Sequence, residues 1–381
     1  MGLRTLPVRL FDPTTMTDSD WPGGSEAVRA FVEAICRHGS ERFVSNVRTR
    51  MMVLREADVM MPVTINETEY DNSYVCSLLA YTRIFKEELR LIDSPFIRAV
   101  SAPVLDGAGV IVRLARLNKG VEVNNWLVGS NPYPPNWSPN LASITDALVL
   151  AFPNHAIGFR SLNEWANPSI LERLKACGYK VIATGPTYVF DRLPETYLVH
   201  RDVKRDRRLL SRTSYRAVLD NKFEEADYPR MAELCQMQNS RHSTLSPAYT
   251  PDYMRLCHTR GIRRFIGLRN PSGRLDAVSG ILTVGGAIPT CFAVYDTSLD
   301  RDIGLYRMIN ALIFEVAIAE GWSINLGSRA AGFKRNRGGQ PIMDYGAIYD
   351  RHLSRARRLA LSALAWPTNV IGVPLMRRFQ I

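Results

Sequence analysis

Residues 301–339 read RDIGLYRMINALIFEVAIAEGWSINLGSRAAGFKRNRGG, and the order of features along them decides how the whole chain is read. Leu305, Met308, Ile309, Leu312, Ile313 and Val316 recur at spacings of three and four, one apolar face of a helix. Gly304 stands where that helix begins. A helix start offers unpaired N–H groups and a partial positive charge, and a residue without Cβ lets a phosphate come close to them. Gly321 ends the helix, residues 323–326 form a short apolar strand, and Phe333-Lys334-Arg335-Asn336-Arg337-Gly338-Gly339 reads as a glycine-flanked basic loop.

Arg301-x-x-Gly304-x-Tyr306 resembles the acyl-CoA pyrophosphate loop of the GNAT acyltransferase superfamily: Arg or Gln, two residues, Gly, one residue, Gly or Ala. Tyr306 departs from the small residue of that pattern. The order of helix, strand, Phe-Lys and glycines is similar to the double-GNAT branch, which includes the Fem-type aminoacyl transferases. The resemblance implies an α/β (α+β) fold of two tandem GNAT-like domains, each a mixed, mainly antiparallel sheet flanked by helices.

Outward from this stretch, residues 227–238 and 253–260 read as helices. Residues 265–268, 277–284 and 289–295 read as strands, with turns at Asn270-Pro271-Ser272-Gly273 and Gly285-Gly286. Two helices, three strands, the glycine-led helix and a further strand make up the usual GNAT order. In the first half, residues 25–37, 80–91, 96–116, 144–152 and 168–177 are helical candidates, with Pro103 and Gly107 interrupting the third. Residues 51–54, 59–65, 121–128, 156–159 and 180–183 are strand candidates. The expected division is 1–199 for an N-terminal GNAT-like domain, 200–216 for a basic linker or linking helix, 217–355 for a C-terminal GNAT domain with the donor site, and 356–381 for a basic amphipathic tail.

Of the 381 residues, 46% are hydrophobic and 22% charged, enough apolar material for a core. The net charge of +11 points to an anionic partner, whether nucleotide cofactor, RNA or acidic lipid surface. Six scattered cysteines with no CxxC pair fit reduced, mostly buried thiols, and no metal site is expected. Without a long apolar run or an apolar leader, a cytoplasmic protein is expected. The tail, with Arg357, Arg358, Arg377 and Arg378 flanking an apolar segment, suggests contact with the inner face of an anionic membrane; the alternative is a helix packed on the first domain.

N-acyl transfer from a thioester needs an amine that loses a proton, donors for the tetrahedral oxyanion, and an acid for the thiolate. No bound cofactor is expected; acyl-CoA is the co-substrate that the resemblance implies. Its phosphates are expected at Arg301, Ile303, Gly304, Leu305 and Tyr306, and its pantetheine along strands 289–295 and 323–326, near Asn325 and Ser328. Tyr306 is a candidate acid or a wall. The resemblance places Lys334 near the transfer centre, where a fixed charge stabilises the oxyanion, with Arg337 behind it; a solvated loop charge is the alternative. Candidate bases are His242, in a polar loop at 239–243, Asp344, able to pair with Lys334, and His352. The leading function is an N-acyltransferase that moves an acyl group from acyl-CoA to an amine, with a lipidic, sphingoid-type acceptor as in bacterial ceramide-synthase-type enzymes one concrete case. An aminoacyl-tRNA-dependent Fem-type transferase is the second reading, and a non-catalytic GNAT-fold binding protein the third.

Overall fold

Residues 50–66 hold two apolar runs on either side of Ala57, whose φ of 53° turns the chain, and they fold as a hairpin of β2 (Arg50–Glu56) and β3 (Val59–Asn66). The structure, a computed structural model, describes residues 8–89, 94–374 and 376. A short β1 (Arg9–Phe11) pairs with β2, and α1 (Glu26–His38) lays Val28, Phe31, Val32 and Ile35 on the hairpin. After α2 (Leu78–Glu88) and α3 (Pro95–Leu114) come β4 (Gly120–Val123), α4 (Leu141–Ala151), β5 (Ala156–Leu162), α5 (Pro168–Ala176) and β6 (Lys180–Phe190). Then α6 (Leu193–Thr196) and α7 (Arg201–Arg212) lead to the second half.

That half runs β7 (Arg216–Leu219), α8 (Asp227–His242), α9 (Pro251–Thr259), β8 (Arg264–Arg269), β9 (Leu275–Val284), β10 (Ala287–Tyr295), α10 (Leu305–Glu320), β11 (Ser323–Asn325), α11 (Ala331–Arg335) and β12 (Gln340–Tyr349). Finally α12 (Arg355–Pro367) closes the order. The two helices, three-strand meander, helix and parallel strand expected from sequence are all present. The first half repeats the central unit: β4 and β5 are parallel around α4, as β10 and β11 are around α10.

The fold is α/β with a mixed, mainly antiparallel sheet. The described strands form one twelve-stranded sheet in the order β1-β2-β3-β4-β5-β12-β6-β11-β10-β9-β8-β7. Three strand pairings join the halves. β12, from the end of the chain, lies between β5 and β6, and β6 in turn pairs with β11 through Ile324↔Phe190 and Asn325↔Val189. The sheet therefore runs unbroken across the 199/217 division.

The apolar face of α10 is buried as its spacing predicts: Leu305, Met308, Ile309, Leu312 and Ile313 enter a core with Tyr188, Phe190, Ile281 and Ile288. Each such side chain contributes roughly 1.5–3 kcal/mol by leaving water. Gly321, at φ 70°, ends the helix in the left-handed conformation that glycine adopts without Cβ strain.

Several elements differ from expectation. α3 runs through Pro103 and Gly107; a proline removes one helix hydrogen bond, and here Val112 and the Lys86–Asp106 pair hold α3 on its neighbours. The strand expected at 121–128 stops at Val123, because Asn124 and Leu127 both have φ of 56° and turn the backbone away. Within the expected basic linker or linking helix, residues 201–212 are the helix α7 packed on α10, with Val203 buried and Asp206 salt-bridged to Arg307. One face of the tail packs on the first half as far as it is described: Leu361 joins Leu79, Val112 and Leu117 in one cluster, and Arg357 donates to the carbonyls of Ala115, Arg116 and Asn154. Residues 375 and 377–381, with Arg377 and Arg378, lie outside the described residues.

Candidate active site

β10 and β11 are paired only at their beginnings, Ala287↔Ser323 and Ile288↔Ile324. β11 stops at Asn325 while β10 continues to Tyr295, so the strands part into a V that opens at their C-terminal ends. β10 also carries an irregularity between Ala287 and Thr290 against β9, which changes the faces of its side chains. Before it Ile288 faces α10; beyond it Cys291, Ala293 and Tyr295 do. Exposed backbone in such a V can accept and donate hydrogen bonds to an extended chain laid between the strands.

α10 begins at the mouth of the V, and α11 follows β11 on its other arm. Tyr306, in the first turn of α10, has its ring 5.9 Å from that of Tyr295 and 4.8 Å from that of Phe333. Burial pushes its phenol up to about 12. Its phenol therefore stays protonated through the neutral range, beside the two rings that flank it. Burial likewise raises the Cys291 thiol to about 11, so it is no ready nucleophile.

Lys334 is buried beside the parting ends of these strands. The expected basic loop is instead α11, entered through Ala330 at φ 56°, and the helix turns Lys334 inward until 2% of it is exposed. Its Nζ donates to the carbonyls of Leu326 and Gly327, both at 2.8 Å, and lies 5.6 Å from the centre of the Tyr188 ring. No carboxylate among the described residues forms a salt bridge with it. Burial brings the ammonium down to about 7; nearby Arg329 lowers it further, against the opposing influence of Cys291. A lysine has three donors, and two are used on backbone. The arrangement holds a proton that can be released near neutral pH at the end of the parting strand.

Arg337 is not a second charge for the cleft. Its guanidinium lies 3.5 Å from the centre of the Phe333 ring and its Nε donates to Asp206 Oδ2 at 2.6 Å. Arg307 Nε donates to the other oxygen, Asp206 Oδ1, at 2.6 Å, so Asp206 ties α7 to both α10 and α11. Gly304 has a packing cause of its own. Its φ is 76°, and a Cβ there would lie 2.6 Å from Leu209 Cδ2, so the glycine admits α7 beside the helix start. Leu305 is buried in the core, and Ile303 packs beside it. Arg301 is exposed in the turn before α10.

Asn325 accepts from the Thr187 hydroxyl and from Gly327 N–H at 2.8 Å, which is strand-end capping. Ser328 is exposed just beyond. His242 is the last residue of α8, exposed, rather than part of a loop. His352 Nε2 donates to the His155 carbonyl, 2.8 Å away. Asp344 does not pair with Lys334. It sits on β12 opposite Gly185, receives Asn163 Nδ2 at 2.8 Å, and burial raises its carboxyl to about 7 against the opposing Asn163 bond and Arg160.

Asp344 belongs to a polar compartment that sequence reasoning missed. Arg160 of β5, 6% exposed, donates to Asn125 Oδ1 at 3.3 Å and faces the Tyr74 ring at 5.8 Å. Glu122 of β4 lies over Gly158, where a Cβ would be 2.5 Å from both carboxylate oxygens; burial takes its carboxyl to about 7. Arg160 Nε and Glu122 Oε2 lack hydrogen-bond partners among the described residues. Arg329, from the segment between β11 and α11, donates to Ser246 Oγ at 2.8 Å and acts electrostatically on both Lys334 and Tyr74. The available signal was a charged residue inside each of two apolar strands, Glu122 in VEV and Arg160 in AIGFRSL. Among the described residues no group of three His, Cys, Asp or Glu side chains is placed to hold a metal ion.

No family model matches the chain, and no curated protein does. Solved structures do match. The C-terminal domain of a putative lysylphosphatidylglycerol synthetase from Agrobacterium fabrum is 17% identical with a TM-score of 0.42, covering 59% of this chain and 75% of its own. L-PGS from Bacillus licheniformis is 13% identical with a TM-score of 0.44, over 58% of this chain and 77% of its own. FemX is 10% identical with a TM-score of 0.41, over 54% and 75%. These are likenesses of fold alone.

Proposed function

We propose that the chain is an N-acyltransferase that moves an acyl group from acyl-CoA to an amine by direct attack on the thioester. The observation that carries this reading is Lys334, buried at the end of a parting parallel strand pair with its ammonium brought down to about 7. The pantetheine lies between β10 and β11, walled by Tyr306, Tyr295 and Phe333, and the phosphates meet the start of α10 beside Arg301.

The neutral acceptor amine attacks the thioester carbon and the carbonyl oxygen becomes an oxyanion, which the Lys334 ammonium stabilises. The extra proton on the attacking nitrogen passes to a carboxylate of the polar compartment, Asp344 or Glu122, both titrating near 7 and so matched to the task. As the oxyanion collapses, the C–S bond breaks and the thiolate takes the proton of Lys334. A donor near 7 facing a thiolate near 8.5 makes that transfer downhill. A lipidic amine, as in ceramide-synthase-type enzymes, is the acceptor we favour.

One observation favours the aminoacyl-tRNA reading. α7 lies beside the start of α10 and turns Arg201, Lys204, Arg208 and Arg212 outwards, a basic ridge long enough for a nucleic-acid backbone. Single-turnover transfer assays separate the two. Acyl transfer from palmitoyl-CoA to a sphingoid amine supports the first reading; transfer from aminoacyl-tRNA alone replaces it with the second.

A further inference from the structure

Two neighbouring helices carry apolar stripes that no described element covers. On α3, Val100, Val104, Val110 and Leu114 are all exposed, Leu114 by 81%. At 100° per residue these four fall within an arc of about 120°, one face along the whole helix. On α12 and the turn after it, Leu359, Trp366 and Val370 are exposed at spacings of seven and four, Trp366 by 64%. The helices meet through Val112 and Leu361, so the stripes belong to adjoining elements. Single exposed apolar residues are ordinary, but stripes on packed neighbours make a patch that marks a partner.

The chemistry beside the patch identifies the partner. A cleft of about 650 Å3 runs along α12 and is lined by Lys175, Lys180, Arg351, Arg355 and Arg358, with exposed Leu359 at its edge. Its one acid, Asp350, is held by Lys180. Arg351 lies against Gly178, where a Cβ would be 2.2 Å from Nη2, so the backbone there leaves room for the guanidinium. α12 itself has three arginines and no acid. An apolar face bordered by unbalanced cations complements a surface with phosphates outside and acyl chains beneath. No described helix is long and apolar enough to cross a membrane.

We propose that the α3/α12 face docks on an anionic phospholipid bilayer, with its apolar stripes entering the headgroup–acyl boundary and Arg351, Arg355 and Arg358 receiving lipid phosphates in the cleft. The proposal is independent of the transfer chemistry, since none of these residues borders the V.

The test is co-sedimentation of the full chain with phosphatidylcholine vesicles, with and without phosphatidylglycerol. It is paired with quenching of Trp366 by brominated acyl chains and with sedimentation velocity in the absence of lipid. The variants are Val104→Ser with Leu114→Ser, Leu359→Ser with Trp366→Ser, and Arg355→Ala with Arg358→Ala. All replace exposed or cleft-lining side chains, and circular dichroism checks the fold of each. Binding to phosphatidylglycerol vesicles, weakened about tenfold or more by each pair and by salt for the intact cleft, is the expected result. Equal binding by all variants, or no binding to either vesicle, overturns the proposal. Self-association of the wild type that the serine variants abolish, without vesicle binding, assigns the face to a second copy and also overturns it.

Discussion

Replacing Lys334 by Met tests the buried ammonium through stability and turnover at once. A lysine falling from 10.5 to about 7 on folding binds fewer protons in the folded chain than in the unfolded one between those values. Stability therefore rises with pH across the window of about 7 to 10.5, and the destabilising influence is complete below it. At 1.36 kcal/mol per pKa unit, the full influence is about 5 kcal/mol, and the part relieved between pH 6 and pH 9 is roughly 2–3 kcal/mol. Methionine has no charge to desolvate, but it leaves the Leu326 and Gly327 carbonyls without their donor, at about 1 kcal/mol each. Urea unfolding of wild type and Lys334→Met at both pH values should thus give a difference that moves in favour of the wild type by roughly 2–3 kcal/mol from pH 6 to pH 9. Turnover should fall by about 10²–10³ with donor affinity little changed, as for loss of one oxyanion donor. A stability difference that does not move with pH would refute the buried, low-titrating lysine. Unchanged turnover would remove it from the chemistry.

The other expectations concern the rest of the site. Asp344→Asn should remove an acidic limb near pH 7 from the pH–rate profile; a limb left in place moves the base to Glu122 or elsewhere. Because its carboxyl is raised on folding, wild-type stability should also fall relative to Asp344→Asn as pH rises from about 4 to 7, measurable by the same unfolding series. Gly304→Ala should destabilise by more than about 1 kcal/mol through positive φ and the clash with Leu209. Adding Leu209→Ala should relieve the clash but not the φ strain, a non-additivity that a double-mutant unfolding cycle reads. Arg301→Ala should weaken donor binding by about 1–3 kcal/mol with stability unaltered, as an exposed phosphate contact would; equal affinity in titration takes it out of the site.

The legible parts of this fold were those written in local periodicity. The α10 face, its glycine stops and the β8–β10 meander all follow from spacing, because each buries one face of one element. What was hidden depends on partners far away in the chain. Nothing local in residues 340–349 says that β12 pairs with β5 and β6. Nothing in a run of basic residues says that α7 will place Leu209 against Gly304. Lys334 looked like a loop residue because Phe333-Lys334-Arg335 has no apolar rhythm; its burial comes from the turn at Ala330 and from Tyr188 on a strand of the other half. Asp344 was singled out as a candidate base, yet its neighbours Arg160 and Asn163 come from β5 and the turn after it, so its environment was not readable from the residues around it. Glu122 and Arg160 stood in the sequence as charges within apolar strands, and only the sheet shows them meeting on one face.

The most direct measurement is calorimetric titration of the chain with palmitoyl-CoA below its micelle concentration, acetyl-CoA and free CoA, each repeated with Arg301→Ala. Acyl transfer at the V predicts binding of palmitoyl-CoA that exceeds the other two and weakens in the variant. No binding by any of the three, with binding of aminoacyl-tRNA to the same protein, would contradict it.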